Sequence, residues 1–201
     1  MAIVIWAIIG FVSGSMPWAV WLPRLIARAD VTSVGDRNPG SANAWKIAGW
    51  KLGLLVFLLD LAKGAVPVFL AYFLFDVRTW GLTLVGLAPV LGHAFSPFLG
   101  LKGGKALATS GGSWTGVTLG PGFLVIFFCL GLGQMLQKTH VSSVFLAVLG
   151  IFLYIAIRRP EPWLFTLWAA NTAVIAYKHQ VELKHGVEPR GWVLRILRKA
   201  S

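Results

Sequence analysis

The sequence predicts an all-α, polytopic membrane helix bundle of about seven transmembrane helices, with the N-terminus outside and the C-terminus in the cytoplasm. Three observations carry this. Of the 201 residues, 57% are hydrophobic and only 12% charged, against roughly 25% charged in a soluble domain. The apolar residues fall in long runs broken by short polar stretches, giving a mean hydropathy of +0.75. The Lys and Arg residues gather in alternate gaps between those runs. At this length a single domain over residues 1–201 is the natural organisation.

A membrane-crossing helix needs roughly 20 apolar residues, about 17 at the least. The candidate spans are 2–22, 52–75, 80–99, 106–119, 121–137, 141–157 and 162–178. The first is preceded by no positive segment, so it reads as a helix and not a cleaved signal, although Ser13-Gly14-Ser15 has the small residues of a cleavage site. The second carries Asp60 and Lys63, spaced to pair on one helix face and order the bundle, with Gly64 allowing close packing. The third ends near His93. The fourth is short and rich in Gly, Ser and Thr, with Gly112, Gly116 and Gly120 at the four-residue spacing that lets helix backbones approach. A helix of that composition is expected to be buried among the others. The fifth holds Cys129, the single cysteine, which reads as a packing residue. Thr139-His140-Val141-Ser142-Ser143 makes a polar edge before the sixth, and the seventh runs into a polar segment, 179–188.

Seven spans put the termini on opposite sides. With the N-terminus outside, the outer loops hold only Arg78, Arg158 and Arg159, and Lys63 lies within a helix; every other Lys and Arg faces the cytoplasm. The excess of cytoplasmic cations sets this orientation. The loop 24–51 is long for a compact bundle. Within it, Trp45 and Trp50 beside Lys46 and Lys51 predict a short interfacial helix over 42–51. The tail 192–199 interleaves Trp192, Val193, Leu194, Ile196 and Leu197 with Arg195, Arg198 and Lys199, a basic amphipathic segment for a membrane surface. The net charge of +11 therefore reads as topology and contact with anionic head groups, not as nucleic-acid binding. The four His make no ligand set, so neither a metal nor a cofactor is expected.

Three polar stretches fall on the same, cytoplasmic, side. In Gly35-Asp36-Arg37-Asn38-Pro39-Gly40-Ser41-Ala42-Asn43 the glycines and asparagines permit the tight backbone of an anion-binding nest. Lys46 follows one helical turn later. Lys102-Gly103-Gly104-Lys105 is expected to open the fourth helix, leaving backbone N–H groups to point at a phosphate beside two full charges. It is not a Walker A loop, being one residue short and followed by Ala106 where Ser or Thr is required. The third stretch is the 179–188 segment. Glycine, asparagine, histidine and lysine at one membrane face point to phosphate chemistry on a lipid or its precursor.

In order along the chain these motifs resemble the bacterial acyl-phosphate:glycerol-3-phosphate acyltransferases of the PlsY type. That family's Ser-Gly-Ser-Ile-Pro is similar to Ser13-Gly14-Ser15-Met16-Pro17, and its Gly-Ser-Gly-Asn-x-Gly-Ala-Thr-Asn to residues 35–43. Its Asp-x-x-Lys-Gly is matched by residues 60–64, its Gly-His-x-Phe-x-x-Phe-Leu by 92–99, its Lys-Gly-Gly-Lys-Gly-x-Ala-Thr by 102–109 and its Thr-Arg-Tyr-x-Ser by 139–143. The family's Ser and next Gly are Asp36 and Arg37 here, and its Arg is Lys46. Asp36 would repel phosphate unless Arg37 offsets it, and Lys46 keeps the charge but loses the bidentate fork. Of the third motif, His-x-x-Asn-x-x-Arg ending in Gly-x-Glu, Gly186 and Glu188 fit, and His179 falls at the Asn.

The resemblance implies seven helices in the bacterial inner membrane and a cytoplasmic active site. Its partners would be glycerol 3-phosphate, fatty acyl phosphate and membrane lipid, and its product lysophosphatidic acid. By resemblance the catalytic candidates are Asp36, Lys46, Lys105 and His179. The substrate-binding candidates are Gly35, Arg37, Asn38, Gly40, Asn43, His93, Lys102, Gly103, Gly104, Thr109, Ser142, Ser143 and Glu188. Two alternatives stay open: an acyltransferase for a different phosphorylated acceptor, and a non-catalytic lipid-binding paralogue or transporter. The oligomeric state is also open.

Overall fold

The structure is a computed structural model and describes residues 1–186 and 188–200, with the side chains of His185 and 197–200 outside the description. Val187 of the third motif, and the side chains of Leu197, Arg198 and Lys199 in the amphipathic tail, thus lie outside the described residues. Among the described residues the regular structure is helical, apart from an isolated antiparallel bridge between Gln137 and Pro189.

The first apolar run is two helices, α1 (Ala2–Ser15) and α2 (Trp18–Ala27). The break falls at Met16-Pro17, because Pro17 has no N–H to continue the ladder and disfavours helical backbone at the residue before it; Met16 is extended, at ψ 115°. The interfacial helix expected over 42–51 is α3 (Ser41–Ala48) and stops short of Trp50. Gly49, at φ 83°, turns the chain, and Trp50 and Lys51 begin the long α4 (Trp50–Phe75). Next come α5 (Thr79–Ala94), ended by Ser96-Pro97 and a 3-10 turn over Pro97–Leu99, then α6 (Leu107–Thr118) and α7 (Pro121–Leu136). The chain closes with α8 (His140–Arg158), α9 (Pro162–Lys178), a 3-10 turn over Glu182–His185 and α10 (Gly191–Ala200).

Four stretches, Ala2–Ala27, Trp50–Phe75, Thr79–Leu99 and His140–Arg158, are long and apolar enough to cross a membrane. The helices α6, α7 and α9 have 12, 16 and 17 residues. At about 1.5 Å per residue, α6 reaches roughly 18 Å against a hydrocarbon core of about 30 Å. Its surroundings suit that length, since α4, α5 and α7 all pack on it and most of its residues are buried.

Lipid tails are as apolar as leucine, so close packing and interhelical hydrogen bonds hold such a bundle together. At Gly14 an added Cβ would lie 2.1 Å from Pro89 O, and at Gly92 2.2 Å from Phe11 O, which fixes α1 against α5. At Gly112 it would lie 1.9 Å from Leu61 O, and at Gly64 2.2 Å from Thr109 O, which fixes α4 against α6. Gly116 meets Val68 in the same contact. Gly120, the third glycine of that spacing, instead takes φ 120° at the turn into α7 with no neighbour within 4 Å. Across other helix pairs, Thr83 Oγ1 donates to Trp163 O at 3.1 Å and Trp168 Nε1 to Val148 O at 2.9 Å. Asp60 and Lys63 form the expected buried pair, 2.8 Å apart. Lys63 Nζ also donates to Met16 O, the carbonyl at the α1–α2 break, at 2.9 Å.

Candidate active site

The loop 28–40, α3 and the segment before α6 meet at one end of the bundle. Gly35 takes φ 59°, and a Cβ there would be strained and would lie 2.5 Å from Asn43 Oδ1 and 2.9 Å from Lys46 Nζ, displacing both groups. Asn43, on the first turn of α3 and buried, donates from Nδ2 to Asp36 Oδ1 at 2.8 Å and to Asn38 O at 3.0 Å. The Asn38 N–H donates to the same Asp36 oxygen at 3.2 Å. Asp36 Oδ2 receives the Lys105 ammonium, which also pairs with Glu182 Oε1 from the turn after α9. The positive partner of Asp36 is therefore Lys105; Arg37 is exposed, at φ 59°.

Charge in this cluster follows its contacts. Burial pushes the Asp36 carboxyl up, but hydrogen bonds from Lys105, Asn43 and the Asn38 amide outweigh it and hold the group at about 2. Burial likewise opposes ionisation of Lys105 and Glu182. The two carboxylates raise the Lys105 value above the ordinary lysine range, and Lys105 draws Glu182 below the usual carboxylate range. His179 caps α9 and is buried. Burial pushes its pKa down. Its Nδ1 lies 2.9 Å from Ile175 O, a carbonyl that can only accept, so the proton sits on Nδ1. Nε2 is left as a buried acceptor with no partner.

Lys102-Gly103-Gly104-Lys105 does not open α6. These residues form no regular structure, Ala106 turns at φ 60°, and the helix starts at Leu107. The Gly104 N–H is spent on His93 O at 3.1 Å and cannot cradle an anion. The two glycines are there for close approach: an added Cβ would lie 1.9 Å from His93 O at Gly103 and 2.3 Å from His93 Nε2 at Gly104. Lys178, at the end of α9, staples this segment by donating to Ala94 O at 3.0 Å and to Gly103 O at 2.8 Å. No sequence pattern distinguished it from the other cations at the ends of the apolar runs.

A cavity of about 260 Å³ opens beside the cluster. Asp36, Asn38, Asn43, His93, Lys105 and His140 line its polar part, and Phe57, Leu61, Leu107, Phe123, Ile126, Phe127 and Leu130 its apolar part. Behind His93, Thr109 Oγ1 lies 3.2 Å from Nδ1 and Asp60 Oδ1 lies 3.9 Å from it. One chamber thus joins a polar, lysine-bearing end to a greasy one. Among the described residues no group of three His, Cys, Asp or Glu is placed to hold a metal ion.

Residues 4–188 match the family described as glycerol-3-phosphate acyltransferase. The chain belongs to that family. Over 192 residues it is 33% identical to glycerol-3-phosphate acyltransferase 1 of Thermotoga maritima, covering 88% of this chain and 93% of the relative. Over 203 residues it is 34% identical to the Enterococcus faecalis enzyme, covering 94% and 92%. A solved structure of PlsY (YgiH), an integral membrane glycerol 3-phosphate acyltransferase in its glycerol 3-phosphate form, superposes with a TM-score of 0.83 at 29% identity, over 98% of this chain and 99% of that one. The lysophosphatidic acid form of PlsY gives a TM-score of 0.81.

For a chain of this acyltransferase family, the site candidates sort by position. Gly35, Asp36, Asn38, Gly40, Asn43, Lys46, His93, Lys105 and Thr109 gather at the polar end. Lys102 is exposed near them. Three candidates point elsewhere. Ser142 Oγ bonds Thr139 Oγ1 at 2.9 Å at the start of α8. Ser143 is fully buried against Gly133 of α7. Glu188 is exposed, and its carbonyl accepts the Lys138 N–H at 2.9 Å, pinning the tail to the end of α7. Glu182 and His140 were in the motifs without a role, and the structure brings both into the cluster.

Proposed function

We infer that this chain is a multi-pass membrane acyltransferase that moves a fatty acyl group from acyl phosphate to a hydroxyl of glycerol 3-phosphate, giving lysophosphatidic acid for phospholipid synthesis. The observation that carries this is the single chamber whose polar end holds Lys105, Asn38 and Asn43 and whose other end is apolar. It suits two phosphate-bearing substrates, one with an acyl chain, brought together at their reacting ends.

Acyl phosphate is a mixed anhydride and needs no covalent enzyme intermediate. The acceptor hydroxyl oxygen attacks the acyl carbonyl carbon and an ester C–O bond forms. The bond from that carbon to the phosphate oxygen breaks, and phosphate leaves with the electron pair. The hydroxyl proton passes to the departing phosphate. The protein's part is to hold both substrates in line and stabilise developing negative charge. Lys105 supplies charge at the phosphates, Lys46 and the Asn38 and Asn43 amides orient the polar groups, and His93, backed by Thr109, forms the wall where the two ends meet. His179, neutral with its proton on Nδ1, stands behind the cluster and offers Nε2 as a hydrogen-bond acceptor.

The same reading makes the chain one domain in the bacterial inner membrane with seven membrane-crossing helices, α6, α7 and α9 included, and the cluster on the cytoplasmic side. The distribution of Lys and Arg supports that orientation. A different phosphorylated acceptor is the second reading, favoured by the two carboxylates, Asp36 and Glu182, that share Lys105.

The test is turnover of labelled glycerol 3-phosphate by purified protein in detergent, with palmitoyl phosphate as donor and acyl-CoA as control. Lysophosphatidic acid from acyl phosphate alone is expected. Folded protein that yields none, but acylates another phosphorylated hydroxyl compound, establishes the second reading; folded protein with no acyl transfer at all is the non-catalytic paralogue.

A further inference from the structure

Among the described residues that line the chamber Lys105 is the one Lys or Arg, and in the resting protein its ammonium is already shared by two carboxylates. The two are held very differently. Asp36 accepts from the Asn43 side chain, the Asn38 amide and Lys105, so its position is fixed by the loop and by α3. Glu182 reaches Lys105 through Oε1, while its Oε2 is buried with no hydrogen-bond partner. It stands on a short 3-10 turn, not on a long helix.

A phosphate dianion arriving at the polar end meets these two negative groups at the ammonium it needs. Like charges at contact cost far more in a partly desolvated site than in water. Only one of the two carboxylates can leave at small cost. Asp36 would abandon three donors, whereas Glu182 would abandon one and free its orphaned oxygen to reach water.

We propose that Glu182 is an affinity-setting residue that occupies Lys105 until a substrate phosphate displaces it, swinging the 182–185 turn away from the chamber. The inference rests on reading the chamber as a phosphate site. Glu182 itself touches no reacting atom and acts through Lys105. Its removal therefore tightens phosphate binding, the opposite of what loss of a ligand-binding or merely structural side chain would do.

The test uses the whole protein in detergent and compares wild type, Glu182→Gln and Glu182→Ala. Binding of inorganic phosphate and of glycerol 3-phosphate is measured by calorimetry at pH 8, where phosphate is mainly dianionic. Both variants are expected to bind each anion roughly five-fold more tightly, the scale of a partly exposed ion pair. In turnover assays the gain is expected in KM for glycerol 3-phosphate and not in kcat. Unchanged or weaker binding in the variants overturns the proposal, as does an absence of phosphate binding by all three proteins. A structural role would show as a lower melting temperature and a raised KM. Tighter phosphate binding in a protein that makes no lysophosphatidic acid would uphold the role of Glu182 while refuting glycerol 3-phosphate as acceptor.

Discussion

Replacing Gly112 with alanine tests whether the α4–α6 contact holds the site in register. The added Cβ would sit 1.9 Å from Leu61 O, with Ala65 N at 2.9 Å, and both are main-chain atoms that cannot rotate away. The helices must part by about 1.1 Å to bring the first contact to 3.0 Å, below which real Cβ atoms essentially never come. Gly64, packed against Thr109 O, lies in the same seam and allows little sideways relief. Overpacking of this kind costs about 1–3 kcal/mol. The larger effect is on activity, because α4 carries Asp60 and Leu61 and α6 follows directly on Lys105. A misplacement of about 1 Å at reacting groups costs on the order of 100-fold. Turnover and thermal melting in detergent, measured on Gly112→Ala beside Gly120→Ala, separate the seam from a turn. Gly112→Ala is expected to melt lower and lose most of its kcat. Gly120→Ala, strained at φ 120° but clear of other groups, is expected to lose stability and keep most of its turnover. Gly112→Ala with turnover within two-fold of wild type would refute the argument.

Lys105→Met is expected to abolish acyl transfer while the protein still elutes and melts as a folded species; residual turnover above a hundredth would remove Lys105 from the chemistry. Asp60→Asn or Lys63→Met leaves one buried charge unpaired, at about 3–5 kcal/mol each; the joint change to apolar residues should cost less than either, as a double-mutant cycle on melting would show. The cluster also sets a pH dependence. The lowered values of Asp36 and Glu182 give stability that is present above their ordinary 3.8 and 4.5 and lost as pH falls, for Asp36 through about 2. The raised Lys105 value gives stability present below 10.5 and lost above it. Melting temperature is thus expected to show no contribution to its pH dependence from these three groups between about pH 5 and 10, and Asp36→Asn should flatten the acid limb.

The helical, membrane-spanning architecture was legible because long apolar runs leave few alternatives. The Asp60–Lys63 pair was legible because spacing along one helix is local information. The gathering of residues 35–46 with Lys105 was foreshadowed by topology, which put the polar stretches on one face. What could not be read was direction. Nothing local says that the Gly104 amide is spent on His93, that Ser143 turns towards Gly133, or that Lys178 reaches back to Gly103, because each depends on a partner beyond the next turn of helix, 10 residues away or more. The end of the interfacial helix at Gly49 was missed for another reason: tryptophan and lysine spacing continues through Trp50 and Lys51, and a single glycine with positive φ redirects the backbone without disturbing it.

The hydrogen bond from Lys63 to the Met16 carbonyl bears on biogenesis. At the kink of the first span the Met16 carbonyl accepts from the Trp18 N–H, and its second, charged donor is made 47 residues later. During synthesis the amino-terminal segment carries that bend without the tie until α4 has entered beside it. Pro17 sets the bend locally, α4 fastens it after insertion, and a ribosome stalled before residue 63 would hold a first span that is bent but not yet tied.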